Sequence, residues 1–151
     1  MNHPQFLLSR LSALEHQLNV ALREVALRHP DDYQLQRNCM LFAGWSEDHI
    51  LALQNLMREL QIFAESGPFQ QTERLQYQPM PGTELLLDLE NLLAVAHRVR
   101  TAWIPLEEVA KVHSSSCLAQ LVCKACSELD RAIAWVETEL KTSAPQALTV
   151  G

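Results

Sequence analysis

Between Asp32 and Ser66 one register, Leu35, Cys39, Phe42, Ser46, His49, Leu53, Leu56, Leu60 and Phe63, advances in alternating steps of four and three. Residues so spaced share one face of an α-helix, the face that packs into a bundle. Ser46 and His49, adjacent in that register near its middle, are its polar members. A polar group on a packing face needs a partner. The stretch therefore fixes an architecture and leaves a question at its centre.

The remaining chain supplies three more helices. Helix 1 is predicted over Pro4–Arg28, with Leu8, Leu11, Leu18, Leu22 and Val25 as its seam, Leu7 and Leu14 widening it, and Glu15 as a polar member. Arg28 and His29 suit a C-terminal dipole, and Pro30 stops the helix. Asp31 and Asp32 then offer an N-cap, with Gln34 as a capping-box partner for Asp31. So tight a turn makes the two helices antiparallel neighbours. Helix 2 should end at Ser66-Gly67-Pro68. Gly44 inside it either admits a close neighbour or marks a bend.

Residues 67–82 read as one long irregular crossover, longer than adjacent antiparallel helices require. Helix 3 starts after Thr83 and runs along Leu85, Leu89, Leu92, Ala96, Val99 and Trp103. Pro105 then kinks it, or a fresh short helix starts there, reaching about His113. Helix 4 follows the serines at 114–116 and carries Ala119, Val122, Cys126, Leu129, Ile133, Val136 and Leu140 to Thr142. Ser143-Ala144-Pro145 is expected to end it. The prediction is an all-α chain: one antiparallel four-helix-bundle domain over residues 1–142, and a loose C-terminal tail over 143–151.

Composition narrows function mainly by exclusion. The formal net charge of −6 is spread along the chain, without a dense basic cluster for nucleic acid or anionic lipid. No apolar run reaches the ~20 residues of a membrane span, and the N-terminus lacks a secretory pattern. The expected location is cytoplasmic, where Cys39, Cys117, Cys123 and Cys126 remain thiols.

Two helices, a tight turn, a crossover and two more helices make the ferritin-like arrangement. Local stretches also resemble small bacterial ferritin-like proteins of unassigned function. They are Leu27–Asp32, Phe42–His49, Ala134–Glu137 and Ser143–Leu148. Metal-loaded members of that class imply a glutamate on two helices and Glu-x-x-His on the other two. This chain contains no Glu-x-x-His, and Glu47-Asp48-His49 has the wrong spacing, because residues two apart diverge by about 200° on a helix. The resemblance therefore implies a fold and not a di-iron oxidase or an iron store.

With the first hairpin turning near Asp31, His49 comes level with Glu15. A carboxylate and an imidazole then meet inside the bundle, either as a hydrogen-bonded pair completed by Ser46 or as a metal or cofactor contact, unless one turns to solvent. In the second hairpin, reflection about Ser114 sets His97 near Asp130 and Arg131, which reads as an ion pair. Glu15, His49, His97 and Cys126 form the candidate transition-metal set. Cys123 and Cys126 spell Cys-x-x-Cys two turns inside a helix, where packing explains them better than redox chemistry does. The three tryptophans should pack between helices.

Two functions follow from different classes. One is a non-enzymatic structural or interaction protein, a homodimer through a helix face, marked by an apolar stripe left exposed on helix 3 or 4. The other is a bundle that binds a metal or small ligand at a degenerate site around Glu15 and His49.

Overall fold

The computed structural model describes residues 3–60, 80–113 and 116–149. They form helices α1 (His3–Arg28), α2 (Tyr33–Glu59), α3 (Glu84–Ala102), α4 (Ile104–Val112) and α5 (Ser116–Thr149). No strand occurs among the described residues. The chain is thus an all-α helical bundle. Around its core α1 touches α2 and α3, and α5 touches α2 and α3, while the short α4 lies on α5 and α3. The long interhelical connection falls, as far as residue 79, outside the described residues; α2 ends at Glu59 with Leu60 as its C-cap, short of the end expected at Ser66–Pro68.

The seams pack as their spacing requires. Leu8, Leu11, Leu18, Leu22 and Val25 of α1 are buried against Leu35, Cys39, Phe42 and Leu53 of α2, Leu89, Leu92, Ala96 and Val99 of α3, and Val122, Cys126, Leu129, Ile133 and Val136 of α5. Two deviations are instructive. Late in α2 the buried position slides to Met57, and Leu60 is 54% exposed. A straight helix drifts about 20° per heptad from a strict 3.5-residue repeat, so by the third heptad the facing residue has moved one place along. In α1, Leu7 is likewise exposed and does not widen the seam.

Helix ends depart from expectation in three further places. The N-cap of α2 is Asp32, whose side chain accepts the Leu35 amide at 3.1 Å. Leu35 thereby occupies the third helical position, and the capping box proposed for Asp31 and Gln34 does not form. Thr83 precedes α3 but turns its hydroxyl back to the Met80 carbonyl, at 2.6 Å. Gly82 beside it sits at φ 88°, a left-handed conformation that suits glycine. Finally, α5 does not stop at Ser143–Pro145 but continues through Pro145 to Thr149, so the tail expected to be loose is helical. Proline removes the amide that would bond the Lys141 carbonyl. Lys141 is exposed, so the carbonyl freed by Pro145 lies on the solvent side of the helix, where losing its partner costs little.

Between α3 and α4 the helix is interrupted at Trp103, which caps both segments. Pro105 stands in the first turn of α4, where its missing amide costs nothing.

Gly44 does not admit a close neighbour: a Cβ built there meets nothing within 4 Å. Gly44→Ala should therefore raise stability by about 0.5–1 kcal/mol, the helix-propensity difference, as read from urea unfolding. A loss instead would show that the site is tighter than this geometry.

Candidate functional site

The polar residues of the α1 and α2 seams meet. Glu15 is fully buried and accepts hydrogen bonds on both carboxylate oxygens. His49 Nδ1 lies 3.0 Å from Oε1, and the Trp103 indole N–H donates to the same oxygen at 2.9 Å. The Ser46 hydroxyl lies 2.9 Å from Oε2 and 2.7 Å from the Glu15 main-chain carbonyl, so its single proton is shared between two acceptors of one residue. On the far side of the imidazole, Nε2 lies 3.1 Å from Glu128 Oε1. Glu15 comes from α1, Ser46 and His49 from α2, Trp103 from the α3–α4 break and Glu128 from α5. Every layer of the bundle thus contributes to one cluster.

Its surroundings are aromatic and apolar. The Trp103 ring stands edge-on to the imidazole, with centroids 6.0 Å apart. One turn towards the α1–α2 connection, Phe42 packs against Trp45 and Trp135 at 5.0 and 5.4 Å. The Arg131 guanidinium covers Trp45 at 5.0 Å. The tryptophans therefore pack between helices as expected, and one of them also supplies a buried donor. Burial alone depresses the pKa of His49. The hydrogen bond and charge of Glu15, and then those of Glu128, outweigh it and leave the imidazole raised above its ordinary value.

Of the candidate metal residues, Glu15 and His49 are brought together. His97 is exposed on α3 and faces Glu137 of α5 at 3.7 Å, not Asp130, which pairs with Arg100 at 2.9 Å. Reflection about Ser114 misses this level, because 97 and 137 mirror about residue 117. Cys126 lies in a separate cluster, where its thiol donates to Glu107 at 3.1 Å and Arg100 clasps the same carboxylate. Burial first, and then that bond to Glu107, push the Cys126 thiol up to about 12. The bond from Cys126, reinforced by Arg100, holds the Glu107 carboxyl low. Burial also pushes the Cys39 thiol to about 12. Both thiols stay protonated near neutral pH, unlike a thiolate nucleophile or ligand.

A metal contact is the alternative reading of the Glu15–His49 pair, so the cluster can be tested for fit. The imidazole ring lies between the two carboxylates and already uses both nitrogens, each about one hydrogen bond from an oxygen. Ligand atoms around a metal converge on one point at about 2.0–2.2 Å; these point at one another. The hollow beside them measures about 10 Å³, the lower limit for a single water. Among the described residues, no group of three or more His, Cys, Asp or Glu is placed to hold a metal ion. As arranged, the cluster does not fit one.

Glu128 and Trp103 complete the cluster, yet neither stands out in the sequence as polar chemistry. A signal for Glu128 does exist. It lies on a second stripe of α5, Leu121, Ala125, Glu128, Ala132 and Trp135, whose small residues on either side leave room for a carboxylate. Trp103 falls on the α3 seam, and its register does not reveal that its N–H has a target.

Comparison with family models, with curated proteins and with solved structures finds no match to this chain.

Proposed function

We propose that this chain is a non-enzymatic ferritin-like helical bundle with a structural or protein-interaction role, acting as a cytoplasmic homodimer. The observation that carries this reading is the saturated core: the cluster on which a ferritin-like bundle would build chemistry is closed on itself by Ser46, His49, Trp103 and Glu128. A site whose donors and acceptors are all matched internally orders the helices and leaves nothing for a substrate.

Side-chain pairs support the connectivity. Along α2, Gln36, Ser46 and His49 reach Ala26, Glu15 and again Glu15, while Phe42 and His49 meet Trp135 and Glu128 of α5. Along α3, Asp88 and Trp103 meet Arg28 and Glu15. Each pairing runs in opposite senses, so α2 and α3, which lie diagonally, share a direction. The described part of α2 thus ends towards one end of the bundle and α3 begins at the other, which supports a ferritin-like connectivity.

Partner binding is supported by α4, in which none of the residues Ile104–Val112 is buried. Ile104, Val109 and Val112 are exposed, the last at 81%. A short helix with an uncovered apolar stripe suits a second copy. Light scattering should give a dimer mass, and Val109→Glu combined with Val112→Glu should give a folded monomer. A monomeric parent protein would defeat the homodimer. Elemental analysis of native protein addresses the alternative: a stoichiometric transition metal that is lost in His49→Ala would favour the metal-binding bundle.

A further inference from the structure

We infer that the bundle core contains a proton-binding site: His49, clasped between Glu15 and Glu128, is an imidazolium in the folded protein, and folding takes up its proton.

The geometry leads there directly. A neutral imidazole has one N–H and one lone pair. His49 presents one nitrogen to Glu15 Oε1 at 3.0 Å and the other to Glu128 Oε1 at 3.1 Å. Carboxylate oxygens only accept, so a neutral ring would aim its lone pair at one of them. With both carboxyl groups ionised, two short contacts of this kind require a donor on each nitrogen. Glu15 is already the acceptor for the Trp103 N–H and the Ser46 hydroxyl, so donors converge on both of its oxygens.

The groups around the ring agree from every side. Glu15 faces it from α1 and Glu128 from α5; Trp103, which does not titrate, faces it from the α3–α4 break; and Ser46 is its neighbour on α2. Arg131, one turn along α5 from Glu128, holds its guanidinium over the Trp45 ring. The imidazolium thus supplies the positive charge that two inward carboxylates need in a place with no room for a hydrated ion. In this core a protonated side chain does the neutralising that a metal does in other bundles.

A consequence for stability follows. An unfolded histidine titrates near pH 6.5. The folded imidazole titrates higher, so above about 6.5 the unfolded chain loses this proton while the folded chain keeps it. The contribution is complete below that pH and fades as pH rises through the folded-state pKa. Within the window, the folding constant falls by up to about tenfold per pH unit from this site alone.

The test is a nitrogen-15 NMR titration of the histidine rings in chelator-treated full-length protein across the unfolded value of about 6.5. Both ring nitrogens of His49 should still carry protons where an unfolded histidine is half titrated, and the midpoint should lie above about 6.5. Glu128→Gln, which keeps the shape and removes one carboxylate, should lower that midpoint. Should this variant not fold, the parent spectrum decides alone. A midpoint at or below the unfolded value overturns the inference.

Discussion

Glu15→Ala should cost about 3–5 kcal/mol of folding free energy, the range for breaking a buried ion pair by removing one partner. The loss is large because one fully buried carboxylate serves three donors. Alanine strands the Trp103 N–H and the Nδ1–H of His49, and leaves Ser46 only the main-chain carbonyl of residue 15. No other side chain in the cluster offers Trp103 an acceptor in place of Glu15. Glu15→Gln is the informative companion. It keeps one acceptor oxygen and the volume but removes the charge, and should cost about 1–3 kcal/mol. Urea unfolding with an unchanged denaturant slope is the measurement. A cost below about 1 kcal/mol for Glu15→Ala would mean that the cluster relaxes to water and does not hold the helices.

The same cluster explains how far the sequence could be read. The all-α class and the α1, α2, α3 and α5 seams follow from apolar spacing, because packing faces enforce it and little competes with it. The meeting of Glu15 with His49 was also legible. A tight turn at Pro30–Asp32 sets the register of α1 against α2, and a register sets levels. The second hairpin was less so, since α4 intervenes and moves the mirror point past Ser114, and His97 landed opposite Glu137. Glu128 gives a weaker signal because it lies one place from the α5 seam, on a flank where alanines make space. The passage of α5 through Pro145 is hidden for another reason. Proline breaks a helix where its lost hydrogen bond matters, and near an exposed helix end it does not.

Trp103 carries the other large effect. Its side chain is fully buried, and its backbone ends α3 and begins α4. The Trp103 amide bonds the Arg100 carbonyl at 3.2 Å, and its own carbonyl accepts the Glu107 amide at 3.0 Å. The indole therefore anchors in the core the point at which the helix breaks. Trp103→Ala should cost about 3–5 kcal/mol from the cavity and the lost contacts. Trp103→Phe separates two contributions. Phenylalanine keeps most of the packing and loses the N–H, which leaves Glu15 with one donor fewer, so about 1–3 kcal/mol should remain. The pair of variants also distinguishes the role of the indole from plain packing. Combined with Glu15→Ala, Trp103→Phe should cost less than the sum of the two single changes, because both remove the same hydrogen bond. Strict additivity would show that the Trp103 N–H contributes nothing through Glu15. The tryptophan would then be a core filler at the break, and the saturated cluster would be smaller by one helix.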